Sequence, residues 1–357
     1  MKRFLVVILA ITLCLSLVGC GFWMEGEYLS VTPHVEQDAF DEDRVIQISN
    51  YSDAQEAMDT LVESGSGKGV LSLPVQDATI ADMYIRNAIT YVMNENPIGA
   101  YAVNEIKYEI GTSRGVSVIA CNISYLYERG QILRIQKVST MQELSERIYQ
   151  ALNTCEPSAT IMVEEFKTTD FQQLVQNYAD ENPNVVMEVP TVSMSSYPEK
   201  GNRRIVDVYF TYRTNRESLR DMQEKVGAIF TSAELYVRES AQVLDIYTRL
   251  YSFMMERNTY TLETSITPAY SLLLHGVGDS RAFATVYAAM CRQSGLDCRV
   301  VSGTKDGKPR FWNIIQYRDQ YHHVDLLESK RTESFQMLPD YMMYGYVWDY
   351  SAYPRTE

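Results

Sequence analysis

Three polar residues in the last quarter of the chain have the types that acyl-transfer chemistry uses. Ser280 stands at the start of an apolar helical pattern, and His323 and Asp325 stand two residues apart on a predicted strand. A serine or cysteine nucleophile needs a base within hydrogen-bond distance to accept its proton. Arg310 stays protonated and cannot be that base. The chemistry is available only if Ser280, or Cys291 on the same helix, lies beside His323.

The segment Gly278-Asp279-Ser280 leads into a helix predicted from Ser280 to Ser294, with Gly295 as its C-terminal cap. Backbone N–H groups at the N-terminus of a helix favour anions, so an acidic group could bind there. Asp279 or Ser280 could instead cap the helix, which is the commoner arrangement. The two roles are compatible.

The segment from Ala269 to Leu326 resembles the core of the bacterial transglutaminase-like family, whose domains have a papain-like fold. The motifs that carry the resemblance are Gly276-Val277-Gly278-Asp279-Ser280-Arg281-Ala282, Arg310-Phe311-Trp312-Asn313 and Val324-Asp325-Leu326. The resemblance places Gly278 at the position of the family's nucleophilic cysteine, Arg310 at that of its histidine and Asp325 at that of its aspartate. Glycine offers no nucleophile and arginine cannot exchange the proton. The resemblance therefore implies a domain without catalysis, a pseudoenzyme.

The other residues of these motifs are candidates for the lining of the pocket. Ser280 lies two residues past the cysteine position, a rotation of about 200° around a helix, so we expect its side chain to point out of the cleft. Arg310 and Asp325 could form an ion pair that replaces the catalytic dyad with a structural lock. His323 shares a strand face with Asp325 and could bind a ligand or sense pH with it. The simpler interpretation, which we favour, is an ordinary strand histidine that faces inward.

Two motif residues have structural interpretations. Trp312 is expected to pack against the wall of the core, and Asn313 is expected to bind backbone groups.

The N-terminus has the pattern of a bacterial lipoprotein signal. Met1-Lys2-Arg3 precedes an apolar run to Val18, and Leu17-Val18-Gly19-Cys20 resembles a lipobox, in which Cys20 would become lipidated. An uncleaved N-terminal anchor helix is the alternative. Either way, the pattern predicts an extracytoplasmic protein that is held at the bacterial cell membrane.

Charge and cysteine spacing exclude some classes of partner. The formal net charge of −14 does not favour nucleic acid. The pattern predicts no metal site, because no cysteine forms a C-x-x-C pair or lies near a histidine at zinc-ligand spacing, and it indicates no cofactor. Whether Cys121, Cys155, Cys291 and Cys298 form disulfides stays open, since pairing needs Cβ atoms within about 4.5 Å.

The 357 residues predict an α+β protein of several parts. After a signal (1–20) and an acidic tether (21–50) come two similar α+β units (51–138 and 139–230) and the transglutaminase-like domain (231–357). Each repeated unit is predicted to have a helix, a strand, a second helix and a closing strand pair, which in the first unit is Val116–Ala120 followed by Asn122–Tyr127.

The last domain is predicted to begin with a long helix from Thr231, capped by Ser232. Its strands are predicted at Cys298–Ser302, Phe311–Tyr317 and Tyr321–Leu326.

Three functions are compatible with these patterns. The leading hypothesis is a membrane-anchored lipoprotein whose transglutaminase-like domain binds peptides or cell-wall material, or acts as a scaffold, without catalysis. The alternative is an acyl transferase or peptidase with a relocated thiol or serine nucleophile. A third hypothesis assigns the function to the repeated units, with the last domain as their support.

Overall fold

The computed structural model describes residues 45–113, 115–240 and 242–356. The predicted signal, Cys20 and most of the predicted tether lie outside this part. The chain divides into two compact units, of which the first contains residues up to 90 and 102–133, and the second contains residues 91–101 and 134 onward.

The first unit contains one four-stranded sheet with helices around it. Its strands are β1 (Ile46–Gln47), β2 (Lys68–Leu73), β3 (Val103–Ser113) and β4 (Val116–Tyr125). The helices of residues 45–133 are α1 (Tyr51–Glu63), α2 (Ala78–Asn94), α3 (Pro97–Ala102) and α4 (Arg129–Leu133). The strand order is β1-β2-β4-β3, in which β1 is parallel to β2 and the other pairs are antiparallel.

One prediction for this sheet was wrong. The expected pair Val116–Ala120 and Asn122–Tyr127 is the single strand β4, because the alternation of buried and exposed side chains continues through the buried Cys121. Its antiparallel partner β3 was not predicted.

The second unit begins with a sheet of the same design. Its strands are β5 (Gln136–Val138), β6 (Ser158–Val163), β7 (Thr191–Tyr197) and β8 (Arg204–Thr211), and its helices are α5 (Met141–Asn153) and α6 (Phe171–Glu181). The order is β5-β6-β8-β7, with β5 parallel to β6 and the other pairs antiparallel. The two sheets therefore share strand order and strand direction, which is the arrangement that a duplicated α+β unit would produce.

The helix predicted to start at Thr231 starts fifteen residues earlier. Helix α7 spans Arg216–Val237, and the side chain of Asn215 caps it by accepting from the backbone N–H of Ser218. Ser232 is not a cap, since its hydroxyl donates to the carbonyl of Ala228 inside α7. The predicted boundary between residues 230 and 231 falls within this helix. A separate helix, α8 (Val243–Met255), follows.

The remaining residues build a layer of helices on an antiparallel sheet. The helices are α9 (Pro268–His275), α10 (Ser280–Gln293) and α11 (Leu326–Arg331), with a 3₁₀ turn at Asp340–Met342. The strands are β9 (Thr259–Tyr260), β10 (Val277–Gly278), β11 (Cys298–Lys305), β12 (Lys308–Tyr317), β13 (Gln320–Val324) and β14 (Tyr346–Trp348). The sheet order is β13-β12-β11-β14, and β9 pairs with β10 in parallel.

Helix α10 lies at the centre of this core. Every residue from Ala282 to Cys291 is buried, and the helix packs against α7, α8, β11 and β12. Its start at Ser280 and the left-handed Gly295 after its end agree with the prediction. Within the described residues, no helix has the length and apolar character that crossing a membrane requires.

Candidate functional site

Asp279 caps helix α10, as predicted. Its Oδ1 accepts from the backbone N–H of Ala282 at 2.8 Å, and its Oδ2 accepts from the hydroxyl of Thr264 at 2.7 Å. Both carboxylate oxygens therefore have donors from the chain itself. The cap fixes the first turn of α10 and ties it to the loop that follows β9.

Ser280 contacts the strand that carries Arg310. The residue is 7% exposed, and its Oγ accepts from the backbone N–H of Phe311 at 3.3 Å. The ladder between β12 and β13 begins only at Asn313 and Val324, so no strand pairs with Phe311 on that side. The prediction that Ser280 points out of the cleft is wrong, because its hydroxyl lies against β12 where β13 has ended.

Gly278 has a different environment. It pairs with Tyr260 in the short β9–β10 ladder and is buried. A Cβ atom added there would lie 3.0 Å from Cδ1 of Leu272 and 3.2 Å from Cβ of Ala282. A side chain at residue 278 would therefore overpack against Leu272 and Ala282. Of the two residues, Ser280 is the one whose side chain reaches β12.

The predicted ion pair between Arg310 and Asp325 is present and bidentate. Nε of Arg310 donates to Oδ2 of Asp325, and Nη2 donates to Oδ1, both at 2.7 Å. The side chains are 13% and 5% exposed. Burial opposes the charge on Arg310, but its pairing with Asp325 raises its pKa above the usual value. The guanidinium is therefore a fixed cation.

Asp325 does not lie on a strand, although we predicted that it would. Strand β13 ends at Val324, and Asp325 caps α11 by accepting from the backbone N–H groups of Leu327 (3.0 Å) and Glu328 (3.1 Å). The hydroxyl of Tyr346 donates to Oδ2 at 2.8 Å. With the two bonds from Arg310, five donors surround this carboxylate. It is a structural centre that joins β12, α11 and β14.

His323 makes no hydrogen bond to Asp325, so the alternative of a His323–Asp325 pair is not formed. Its Nδ1 accepts from the indole N–H of Trp312 at 2.9 Å, and its Nε2 lies 2.9 Å from Oδ1 of Asp340. Because Nδ1 must accept, the proton of the neutral ring is assigned to Nε2, which donates to Asp340. Burial lowers the pKa of His323, and Asp340 opposes this only in part. His323 is buried and both ring nitrogens are occupied.

Trp312 and Asn313 have the predicted structural roles. Trp312 is buried and makes edge contacts with the rings of Tyr346 and Trp348, at 5.1 and 5.8 Å between centroids. The Nδ2 of Asn313 donates to the carbonyl of Ala284 at 2.9 Å and ties α10 to β12.

No relocated nucleophile has a base beside it. Within residues 45–113, 115–240 and 242–356, no hydrogen bond joins Ser280 or Cys291 to a histidine. Cys291 is fully buried, and burial raises the pKa of its thiol well above the usual value, so it stays protonated. Its side-chain neighbours are Cys298 and Tyr287. All four described cysteines are free and buried, and none is in a disulfide.

Two residues of the site carried no sequence signal that pointed to their roles. Asp340 reaches His323 from the 3₁₀ turn, next to the isolated bridge between His323 and Leu338. Tyr260 lies with its ring centroid 6.0 Å from Cζ of Arg310. Both contacts depend on tertiary structure, so no local pattern could have identified them.

Comparison with known proteins identifies the class of this domain. Residues 231–348 match the transglutaminase-like superfamily. No curated protein matches the chain.

Three solved structures are similar at low identity. A TGase has 13% identity and a TM-score of 0.27, over 54% of this chain and 58% of the other. A candidate cysteine protease from Cytophaga hutchinsonii has 11% identity and a TM-score of 0.26, over 42% of this chain and 65% of the other. A candidate protease from Parabacteroides distasonis has 8% identity and a TM-score of 0.24, over 72% of this chain and 39% of the other. This chain thus spans less than two thirds of each of them. It is a mixed α+β protein that contains a transglutaminase-like domain at residues 231–348.

Proposed function

We propose that this protein is a lipid-anchored binding protein of the bacterial cell envelope whose transglutaminase-like domain does not catalyse acyl transfer. One observation carries the proposal. Arg310, on the strand next to Ser280 where a nucleophile would need a base, forms a buried, bidentate pair with Asp325.

A hydroxyl attacks an acyl group only when a base takes its proton in the transition state. Arg310 stays protonated, and Asp325 is already bound by five donors. Histidine, the other common type of base, is represented nearby by His323, whose ring nitrogens bind Trp312 and Asp340. The site can hold a ligand through hydrogen bonds, but it cannot move the proton.

The test is an activity measurement on the purified mature protein. The protein is incubated with an amine donor and a glutamine-bearing peptide, and separately with peptide and cell-wall substrates. We expect no product above the level of a Ser280→Ala variant. Turnover by the wild type that Ser280→Ala or Asp325→Ala abolishes would refute the proposal.

The alternative is an acyl transferase or peptidase that uses Ser280. It is favoured by the position of this serine at the start of α10, with its hydroxyl against β12. A fluorophosphonate probe separates the two functions, because it modifies activated serines. Labelling of the wild type that is lost in Ser280→Ala would support the alternative, and equal labelling of both would support the binding function.

The membrane anchor is tested separately. Metabolic labelling with a radioactive fatty acid should mark the wild type and not a Cys20→Ala variant. Cell fractionation should then place the wild type with membranes. Labelling that survives the substitution would contradict lipidation at Cys20.

A further inference from the structure

We infer that Arg310 and Ser280 bind the C-terminal carboxylate of a peptide. This inference rests on the proposed binding function and names its ligand. It starts from the hydrogen bonds that Arg310 leaves unused. A guanidinium has five N–H donors in one plane, and Arg310 gives only one from Nε and one from Nη2 to Asp325. Its remaining donors, including both on Nη1, make no hydrogen bond to any residue that the structure describes. The side chain is 13% exposed, so part of it reaches the surface.

Ser280 supplies a second donor. Its oxygen accepts from Phe311, so the hydroxyl hydrogen is still available, and it has no acceptor in the described part of the chain. The residue is 7% exposed, which makes an unused donor unfavourable unless a ligand accepts from it. The site therefore combines a cation and a hydroxyl, and each has a donor without an acceptor in the described part of the chain. A carboxylate offers two oxygens that match the edge of a guanidinium.

Asp325 does not depend on Arg310 alone for its hydrogen bonds. Three of the five donors to that carboxylate come from elsewhere, namely Tyr346 and the first N–H groups of α11. The next acidic residue along the chain, Glu328, is itself paired with Lys305 and Arg331. Asp325 and Glu328 therefore both have partners other than Arg310, which leaves the remaining donors of Arg310 for a second carboxylate. Arginine that bridges two carboxylates satisfies more of its donors than a single pair does.

The rim of the site distinguishes a peptide from other acids. Tyr260, which is 41% exposed, lies beside Arg310, and Leu262, which is 82% exposed, follows in the same loop. This loop is held against the start of α10, because the N–H of Thr261 donates to the carbonyl of Gly278 at 2.9 Å and Thr264 binds Asp279. Apolar side chains thus border the donors. A peptide that ends in an apolar residue matches both features, whereas an acidic sugar matches only the donors.

The experiment measures binding by calorimetry to the intact mature protein. The probes are N-acetyl-Ala-Ala-Leu with a free carboxylate, the same peptide as its C-terminal amide, and glucuronic acid. We expect the free carboxylate to bind at least about tenfold more tightly than the amide, because a hydrogen-bonded ion pair is lost in the amide. Equal binding of the amide, or equal binding of glucuronic acid, would overturn the inference.

Variants assign the binding to these residues. Ser280→Ala should weaken the carboxylate probe and leave the amide unchanged. Arg310→Gln alone leaves the carboxylate of Asp325 without its charged partner, so the double variant Arg310→Gln/Asp325→Asn is compared as well. This double variant should abolish the preference for the carboxylate. Arg299→Gln is the control, since Arg299 is an exposed arginine of the same sheet that pairs with Asp297. A preference that survives the double variant, or that Arg299→Gln removes, would overturn the inference.

The same samples distinguish this inference from the proposed function. If the intact peptide is recovered but none of the probes binds at millimolar concentration, the carboxylate site is refuted and the non-catalytic function stands. If the peptide is cleaved or transferred in a manner that depends on Ser280, the proposed function itself fails.

Discussion

The backbone N–H of Phe311 donates to the hydroxyl of Ser280 at 3.3 Å, so the first residue of α10 is joined to β12 where β13 has ended. The first turn of a buried helix thus meets an unpaired strand amide, with the cation of Arg310 one residue away. The proposed binding of an anion rests on this combination of donors without a base.

Loss of the cation at residue 310 should destabilise the fold strongly. We expect Arg310→Gln to cost roughly 3–5 kcal/mol, because the buried carboxylate of Asp325 loses its charged partner. Arg310→Gln/Asp325→Asn should cost less, because no charge is then left unpaired. Urea unfolding of the three proteins measures this. Arg299→Gln, at an exposed ion pair, should stay within about 0.5 kcal/mol of the wild type. If Arg310→Gln were as stable as Arg299→Gln, the pair of Arg310 and Asp325 would not stabilise the fold.

A cysteine at residue 278 should not restore catalysis. Its Cβ would lie 3.0 Å from Leu272 and 3.2 Å from Ala282, so Gly278→Cys should cost roughly 1–3 kcal/mol through overpacking. Thermal unfolding and the amine-transfer assay test both parts of the prediction. Ser280→Cys is the matched variant, since that position already accommodates a side chain, and its cost should be smaller. Transfer activity in Gly278→Cys would show that residue 278, and not residue 280, faces the cleft.

The four described cysteines should be unreactive in the native protein. All are buried, and burial raises the pKa of the Cys121 thiol to about 12 and that of Cys291 well above its usual value. Because the thiolate is the reactive form, a disulfide reagent such as Ellman's should label none of them before unfolding and all of them in guanidinium. Mass spectrometry after alkylation identifies each site. Rapid labelling of Cys291 in the folded protein would contradict this prediction and support a relocated thiol nucleophile.

The parts of the site that follow from local sequence were predictable, and the parts that depend on long-range contacts were not. The motif Arg310-Phe311-Trp312-Asn313 fixed the alignment with the family, and the pairing of Arg310 with Asp325 was expected from it. By contrast, the sequence Val324-Asp325-Leu326 reads as a continuing strand, since nothing local shows that Asp325 caps a short helix. The contact of His323 with Asp340 joins residues seventeen positions apart and leaves no periodic signal.

Helix boundaries had the same limitation. Ser232 and Asn215 are both good caps by residue type, and only the packed structure shows that Asn215 caps α7 and that Ser232 binds a carbonyl within the helix. The start of α10 was predictable because Asp279 stands directly before an apolar period and Gly295 follows it.

Folding stability should decrease as the pH falls below about 6.5, the ordinary pKa of histidine. His323 has a lowered pKa in the folded protein, because burial disfavours its charged form and its Nδ1 accepts from Trp312. At a pH between the folded and unfolded pKa values, the unfolded chain binds a proton that the folded protein does not. Stability is therefore complete above the unfolded pKa and is lost as the pH falls through the lowered folded value.

Urea unfolding at intervals from pH 8 to pH 5 measures this slope, and His323→Gln isolates its source. Glutamine can accept from Trp312 and donate to Asp340, so the variant should fold and have a flatter pH dependence. His322, whose pKa is also lowered by burial, contributes in the same window, which makes His322→Gln the comparison. Asp340 and Glu328 have lowered pKa values, about 2 for Glu328, so they act at more acidic pH. If His323→Gln kept the full slope of the wild type, the buried histidine could not be the group that titrates.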